Sequence, residues 1–502
     1  MIRDTVWILG DQLNPAFAAL AQSNPSTHRV LMVESLATLA SRRWHIQRAH
    51  LVITAMRRFG EELRVRGFEV DYRHAATLAQ GLHEHRAAYR PGEVIVMEPG
   101  SWNGLERVTR LGCRVVPGNQ FLCHYTEFAG WMGSRRNLKM EDFYRWQRRR
   151  LGYLMEGSGP DAQPVGGRWN FDTDNRRPPP KGGSQVWPTP LVTPLDDLDR
   201  EVIEKVRPYC TGDTPVGLWA TSGAEAQRRM RHFVDQLLPG FGPHEDAMTV
   251  HSWHLAHSML SPYLNLGLLT PAEVCDAVQD AFDRGLVPIA SAEGFMRQVI
   301  GWREYVWGMY WAGTPTYAGM NALEATRPLP PVFRGEAPTQ MRCVGQVLAE
   351  VQAHGWAHHI QRLMVLGNLC LIAGVDPRAL LDWMWANFVD GAEWVMVPNV
   401  IGMSQHADGG RMATKPYASG GAYIDRMSDY CKGCRFDRSR RTGEDACPFT
   451  TLYWDFMARH RGRFGRNPRV AQQVHAAMRL GDLQEVRERA VAVMERLSAG
   501  QL

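Results

Sequence analysis

An α/β domain with a Rossmann-like parallel sheet, joined to a large all-helical domain, is the architecture the sequence predicts. Three observations carry this expectation. Short β-rich runs alternate with helical patterns over the first third of the chain. A polar, Pro/Gly-rich stretch follows. From about Ala220 onward helical periodicity dominates and strand signals almost vanish. The expected bounds are 1–156 for the α/β domain, 157–218 for a linker and 219–502 for the helical domain.

The strand runs are Thr5–Leu9, Arg29–Val33, Phe68–Tyr72, Glu93–Met97 and Cys113–Val116. A long amphipathic stretch from His45 to Arg66 separates the second from the third. Gly10-Asp11-Gln12 follows the first strand directly, where a parallel sheet places its ligands. No G-x-G-x-x-G stands there, so a standard dinucleotide site is not supported. The opening from Met1 to Gly10 reads as a first strand and not as a signal peptide. In the linker, Gly166-Gly167-Arg168-Trp169-Asn170 and Arg176-Arg177-Pro178-Pro179-Pro180 read as a passive connection. Arg145, Arg148, Arg149 and Arg150, just before it, read as a solvated helix face. The clearest helical patterns run from Gly345 to Ala373 and from Arg469 to Leu497.

A length of 502 residues exceeds one ordinary domain, and an apolar fraction of 44% provides a large core. No window approaches the ~18 apolar residues of a membrane helix, so a cytoplasmic chain with no membrane partner is expected. The net charge of +5 points only weakly to an anionic partner. Seventeen tryptophans fit core filling, electron transfer or base stacking equally well.

The 9 cysteines are odd in number and unevenly spread, which argues against a disulfide framework. Cys431-Lys-Gly-Cys434, followed by Cys447-Pro448, is the strongest chemical signal. A C-x2-C pair can point both thiols at one metal, and a third ligand invites a fourth from elsewhere. Cys343 and Cys370 are the nearest upstream candidates, and the surroundings of Cys370 are those of a buried apolar residue. Zinc and an iron–sulfur cluster both accept four thiolates. The proline directly after a ligand cysteine favours iron–sulfur. Cys113, Cys123, Cys210 and Cys275 read as structural.

Several helical-domain segments carry polar groups that a plain core helix would not. His257-Ser258-Met259-Leu260-Ser261-Pro262 offers hydroxyls and free backbone N–H groups for phosphate oxygens, with Asn265 close behind. Gln298 and Arg303 lie in a segment rich in aromatic residues. Trp356-Ala-His358-His359-Ile-Gln-Arg362 packs two histidines and an arginine together, and Asp390 precedes Pro398-Asn399. Taken singly, each has an ordinary reading as a cap or a paired core residue.

At these residues the sequence resembles the photolyase–cryptochrome family. H-S-x-L-S-P-Y, G-W-R-E-Y, A-H-H-x-Q-R-L-M and the Asp390 segment match its flavin domain. Tyr430-Cys431-x-x-Cys434, Ala446-Cys447-Pro448-Phe449 and Leu452-Tyr453-Trp454-Asp455-Phe456 narrow the likeness to the iron–sulfur bacterial members, which include prokaryotic (6-4) photolyases. The resemblance runs over nearly the whole chain, from Trp7-Ile8-Leu9-Gly10-Asp11-Gln12-Leu13 onward. It implies FAD held by His257, Ser258, Met259, Leu260, Ser261, Asn265, Gln298 and Arg303, with the isoalloxazine near Trp356, His359, Arg362, Asp390 and Asn399. It implies a [4Fe–4S] cluster on Cys343, Cys431, Cys434 and Cys447. His359, beside His358, corresponds to the lesion-facing histidine, and Tyr417 and Tyr423, with Lys415, to the lesion pocket. Trp383 corresponds to the tryptophan next to the flavin.

Three departures stand out. Where relatives carry an outer electron-transfer tryptophan, this chain has Phe333 or Arg334, leaving Trp385 or Trp394 as substitutes. Met396 stands where a relative has a glutamate near the flavin. Thr38 stands where relatives that bind a lumazine-type antenna chromophore use a carboxylate, with Glu34 the nearest acid. The reading is light-driven repair of pyrimidine (6-4) pyrimidone DNA photoproducts by electron transfer from reduced FAD. The protein must extrude the lesion from the duplex and place a titratable acid beside it. The expected partner is damaged DNA, and the chain is expected to act as a monomer. The alternatives are a blue-light-sensing cryptochrome, a cyclobutane-dimer photolyase, and a zinc-stabilised nucleic-acid-binding module without flavin.

Overall fold

The computed structural model describes residues 3–135, 137–157, 159 and 161–502. Met1 and Ile2 of the opening run, and Ser158 and Pro160 of the linker, lie outside the described residues. All the expected strand runs form: β1 (Asp4–Ile8), β2 (His28–Ser35), β3 (Val70–Ala75), β4 (Val94–Met97) and β5 (Arg114–Val116). They pair in parallel in the order β3-β2-β1-β4-β5. The order reverses at β1, which opens a crevice at the carboxyl ends of β1 and β4. The period-2 alternation sorts the side chains: Val6, Ile8, Val30 and Met32 face one core, and Trp7, Leu31, Val33 and Val96 the other.

The amphipathic stretch becomes helix Ile46–Val65, started by the His45 ring, which accepts from Gln47 N. The helical region holds its members by similar local rules. Thr270 and Glu273 cap helix Pro271–Asp283 reciprocally, and Asp376 caps helix Pro377–Asn387. Each of these helices has proline in its first turn, where the missing N–H costs nothing. Among the described residues no helix is long and apolar enough to cross a membrane.

Several expectations are corrected. The pattern from Gly345 to Ala373 is broken: helix Arg342–His354 ends at Gly355, whose φ of 63° is a left-handed cap. Likewise Arg469–Leu497 divides into Ala471–Met478 and Leu483–Ser498 around Gly481. Arg148 is not on a solvated face. It is 1% exposed, and its guanidinium donates to the carbonyls of Tyr153, Leu154 and Trp169, which clamps the chain as it leaves the α/β region. Nor is the linker passive. Phe171 N donates to Glu293 Oε2 (2.9 Å), buried Asn175 donates to Ala290 O (3.0 Å), and Trp187 packs in the main core. Helix Asp197–Val206 then lies on helix Ile46–Val65, joined by His50 Nε2 and Asp199 Oδ1 at 2.8 Å.

Wide helical turns, with i→i+5 bonding, occur at Phe233–Leu237, Arg297–Arg303, Gln361–Gly367 and Pro398–Ser404. Such bulges are costly and concentrate at functional sites. The last three carry Gln298 and Arg303, Arg362, and Asn399, while the first carries no predicted site residue.

Candidate functional site

Asp390 is the centre of one polar cluster. Arg362 grips it with both terminal nitrogens (2.9 and 3.1 Å), and Ser261 Oγ donates to its Oδ2 at 2.7 Å. Asn265 Nδ2 donates to the Asp390 carbonyl at 2.8 Å. Helix Ser261–Leu266, the wide turn Gln361–Gly367 and the Asp390 segment therefore meet here. Just before that helix, Met259 has a φ of 55°, an uncommon conformation for a residue with a side chain. Ser258 Oγ accepts from Leu260 N (3.3 Å), and Leu260 itself is a core residue.

The histidines lie alongside. The rings of His257 and His358 are buried and stack with centroids 4.7 Å apart and planes 13° apart. His359 approaches His257 edge-on at 5.5 Å and, unlike the other two, reaches solvent. One nitrogen from each of the three rings falls within 4.8 Å of the others. Burial, and then neighbouring positive charge, hold His257 and His358 well below the ordinary imidazole range, so both rings are neutral. Nε2 of His257 and both ring nitrogens of His358 are buried without a hydrogen-bond partner. Buried polar atoms are rarely left so. Trp356 closes this side, edge-on to His257 and Trp253.

The remaining predicted residues spread outward. Gln298 Nε2 donates to Glu245 Oε1 (2.7 Å), and burial pushes that carboxyl well above its usual range. Arg303 donates to Leu264 O (3.2 Å) and lies over Phe121 and Trp394, with its Nε unpartnered. Asn399 donates back to Val395 O in its own turn. Trp383 donates to Phe333 O (2.7 Å) and packs on Phe388, the ring that Arg362 covers. Tyr417 and Tyr423 lie within electrostatic range of Asp246 and Arg176, and Lys415 within range of Arg176 and Arg469. Asp246 Oδ1 is 3.4 Å from His359 Nε2. Asp246 stands in no recognisable motif, and Arg176 carries in the sequence only the reading of a linker residue.

Cys343, Cys431, Cys434 and Cys447 line one cavity together with Tyr430, Phe436 and Phe449. Gly433, at φ 79°, allows the turn between the C-x2-C pair. A Cβ on Gly421 would stand 3.0 Å from Cys447 Sγ, so glycine leaves room for the sulfur. Cys447 is the N-cap of helix Pro448–Arg459, and Cys343 lies in the first turn of Arg342–His354. Burial raises the Cys447 thiol, and the N–H groups of Phe449 and Thr450 oppose that rise. The cage is tied to the histidines: Gln361 donates to Tyr430 Oη (2.9 Å) and Glu350 (2.6 Å), and accepts from His358 N (3.1 Å). Cys370 lies elsewhere, fully buried in its helix.

A cavity of about 730 Å³ opens at the carboxyl ends of β1 and β2, where the sheet meets the helical region. Trp7, Trp44, Trp385 and Trp394 are in its wall, with Asp11, Arg48 and the Asp390–Trp394 segment. Glu34 also borders it but has no capacity to spare. Its carboxylate accepts from Arg57 Nε (2.7 Å), Tyr72 Oη (2.7 Å) and Lys205 Nζ, and His74 Nδ1 lies 3.0 Å away. At Thr38 it is the backbone carbonyl that is engaged, accepting from Trp44 Nε1 (3.0 Å).

Residues 6–214 match the family model described as deoxyribodipyrimidine photo-lyase-related protein. A (6-4) photolyase of Agrobacterium fabrum is 40% identical over 509 residues, spanning 98% of this chain and 99% of that protein. The uncharacterized protein R855 of Acanthamoeba polyphaga mimivirus is 30% identical over 101 residues, which cover 20% of this chain and 75% of that protein. Among solved structures, a bacterial class III photolyase from Agrobacterium tumefaciens superposes with a TM-score of 0.59 at 16% identity, covering 99% of this chain and 98% of its own. A cryptochrome of Synechocystis gives 0.54 at 12% identity, over 81% and 83%. With the fold shared and a relative 40% identical over almost its full length, the chain belongs to the photolyase–cryptochrome family.

Proposed function

We propose that the protein uses FAD and blue light to repair (6-4) pyrimidone photoproducts in DNA, and that its four-cysteine cage holds a [4Fe–4S] cluster. The orphaned nitrogens of His257 and His358, beside the Arg362–Asp390 pair, carry the flavin reading. Ser261, Asn265, Arg303, Arg362 and Asp390 would hold the cofactor. When bound, reduced FAD supplies the electron that light transfers to the lesion. The protein's own groups do the rest. Arg362 fixes the Asp390 carboxylate. The neutral His257–His358 stack holds His359 at the solvent-facing end, oriented by Asp246. His359, the ring among the three that can exchange protons with solvent, would move a proton to the transferring group of the lesion. Tyr417 and Tyr423 would flank the extruded bases, and Lys415, Arg176 and Arg469 would meet the phosphates, so that binding weakens with salt.

The thiol set supports a cluster over zinc. A single tetrahedral zinc holds sulfurs at about 2.3 Å, and hence under about 4 Å from one another. Among the described residues, the set that converges within 4.8 Å is the histidine trio and not the thiols. The inter-domain cavity would take an antenna chromophore. Asp11 and Arg48 would be its polar partners, since the Glu34 carboxylate is already engaged.

The test is blue-light repair of an oligonucleotide bearing one (6-4) lesion by the reduced protein. Restoration of the pyrimidines is expected, with His359→Ala slower by at least about 100-fold. Reduced flavin without restoration would sink the repair reading and leave light sensing as the function.

A further inference from the structure

Glu350 is a buried carboxyl with no cation beside it. It lies on helix Arg342–His354, two helical turns beyond Cys343, and is 6% exposed. Its hydrogen-bond donors are amides. Gln346 Nε2 donates to Oε1 at 2.9 Å, and Gln361 Nε2 donates to Oε2 at 2.6 Å. Among the described residues, no lysine, arginine or histidine forms an ion pair with it. By contrast, buried Glu34 is held by Arg57 and Lys205, Asp390 by Arg362, and Asp455 by Arg459. A buried carboxylate without a cation is costly, and burial lifts Glu350 to about 7. A modest change in nearby charge therefore decides whether it holds a proton.

The cysteine cage lies two groups away. Gln361 is fully buried, and its one amide nitrogen donates both to Glu350 and to Tyr430 Oη (2.9 Å). Tyr430 precedes Cys431 and lines the cage cavity. One amide and one phenol thus separate the carboxyl from the cage. The groups that face the carboxyl are Gln346 on its own helix, Gln361 on the wide turn, and the Tyr430 hydroxyl, which burial keeps un-ionised. On the far side of Gln361, its Oε1 accepts from His358 N at 3.1 Å. A unit charge about 10 Å away, at an effective dielectric of about 20, changes a proton affinity by about tenfold.

We infer that Glu350 is a redox-linked proton site, which takes up a proton when the cluster proposed for the cage gains an electron. The inference rests on the cluster reading above. One electron enters the cage from an external reductant, dithionite in the test below. One proton enters from water and forms the O–H bond of the Glu350 carboxylic acid. The net charge of the region is then unchanged, and oxidation reverses both transfers. The cage by this account does more than tie the C-terminal segments to helix Arg342–His354. It moves a proton at a carboxyl that one amide, Gln361, joins to the backbone of His358.

The experiment titrates the iron-loaded full chain with dithionite between about pH 6 and pH 9, following the cluster by electron paramagnetic resonance. The midpoint potential is expected to fall across that range by about 59 mV, which is a tenfold change in proton affinity for a one-electron couple. The sign follows from the charge: an ionised Glu350 opposes the added electron, and a protonated one does not. Glu350→Gln is expected to keep the parent's low-pH potential throughout. A second measurement needs no variant. The reduced-minus-oxidised infrared spectrum of the parent at about pH 7.5 should gain the C=O band of a protonated carboxyl. An equal fall of potential in Glu350→Gln would overturn the inference. So would a parent potential that ignores pH, or a parent spectrum without that band. Each of these results, in protein that carries iron and acid-labile sulfide, leaves the cluster reading intact; protein without them would remove both.

Discussion

The molecule buries two polar clusters of similar size and treats them oppositely. Around Glu34 every charge has its partner: Arg57, Tyr72, Lys205 and His74 converge on one carboxylate, whose pKa falls to about 2. Burial would raise that value, and the surrounding donors outweigh it. Around His257 and His358 the reverse holds, with three ring nitrogens buried and unpartnered. A satisfied cluster fastens elements together; here it joins β2, β3, helix Ile46–Val65 and helix Asp197–Val206. An unsatisfied one costs stability unless something else completes it, and the flavin proposed above is what would complete this one. Proximity to a cavity alone does not make this distinction, since Glu34 also borders one.

Three substitutions sharpen the contrast. The largest effect is expected at the cage that supports the unsatisfied cluster through Tyr430 and Gln361. If the cage holds the proposed cluster, Cys431→Ala should yield protein without iron and acid-labile sulfide and destabilise the helical region by more than about 4 kcal/mol, read from metal analysis and thermal unfolding. Full iron content in the variant would remove the assignment of that ligand. Next comes Glu34→Gln, which leaves buried cations uncompensated. Its carboxylate is held below its unfolded value of about 4.5, so its contribution is fully present above that pH and is lost as pH falls through about 2. The interval is worth about 3 kcal/mol. The variant should unfold more easily at pH 7, lose the acid dependence between pH 4.5 and 2, and keep its flavin. The smallest effect, opposite in sign, is expected for His358→Leu. Removing an unsatisfied buried ring should raise the stability of flavin-free protein by about 1 kcal/mol and weaken flavin retention. A destabilised apo-protein that still binds flavin tightly would break the comparison.

Much of this was legible in the chain. The strands were readable because Val- and Ile-rich runs of period two stand between turn residues, and the parallel order then follows from helices lying between them. The C-x2-C pair and the A-H-H-x-Q-R-L-M run were readable because short spacings bring ligands together whatever the fold. The helix breaks were misjudged at Gly355 and Gly481, where hydrophobic periodicity continues across a residue that ends the helix. Arg148 and the linker were misjudged for a different reason. An arginine inside a basic run and a Pro/Gly-rich stretch both look solvated, unless distant carbonyls and Glu293 are known to wait for them.

By itself, then, the sequence determined the alternation of elements, the family and the residue types able to carry the chemistry, because those depend on local periodicity and short spacing. The tertiary structure decided which of those residues are free to act. Glu34 is consumed by four partners drawn from three distant segments, and Asp246 gains His359 across the fold. Whether a polar or redox group is satisfied depends on neighbours far away in the chain, and only folding brings them within hydrogen-bonding distance.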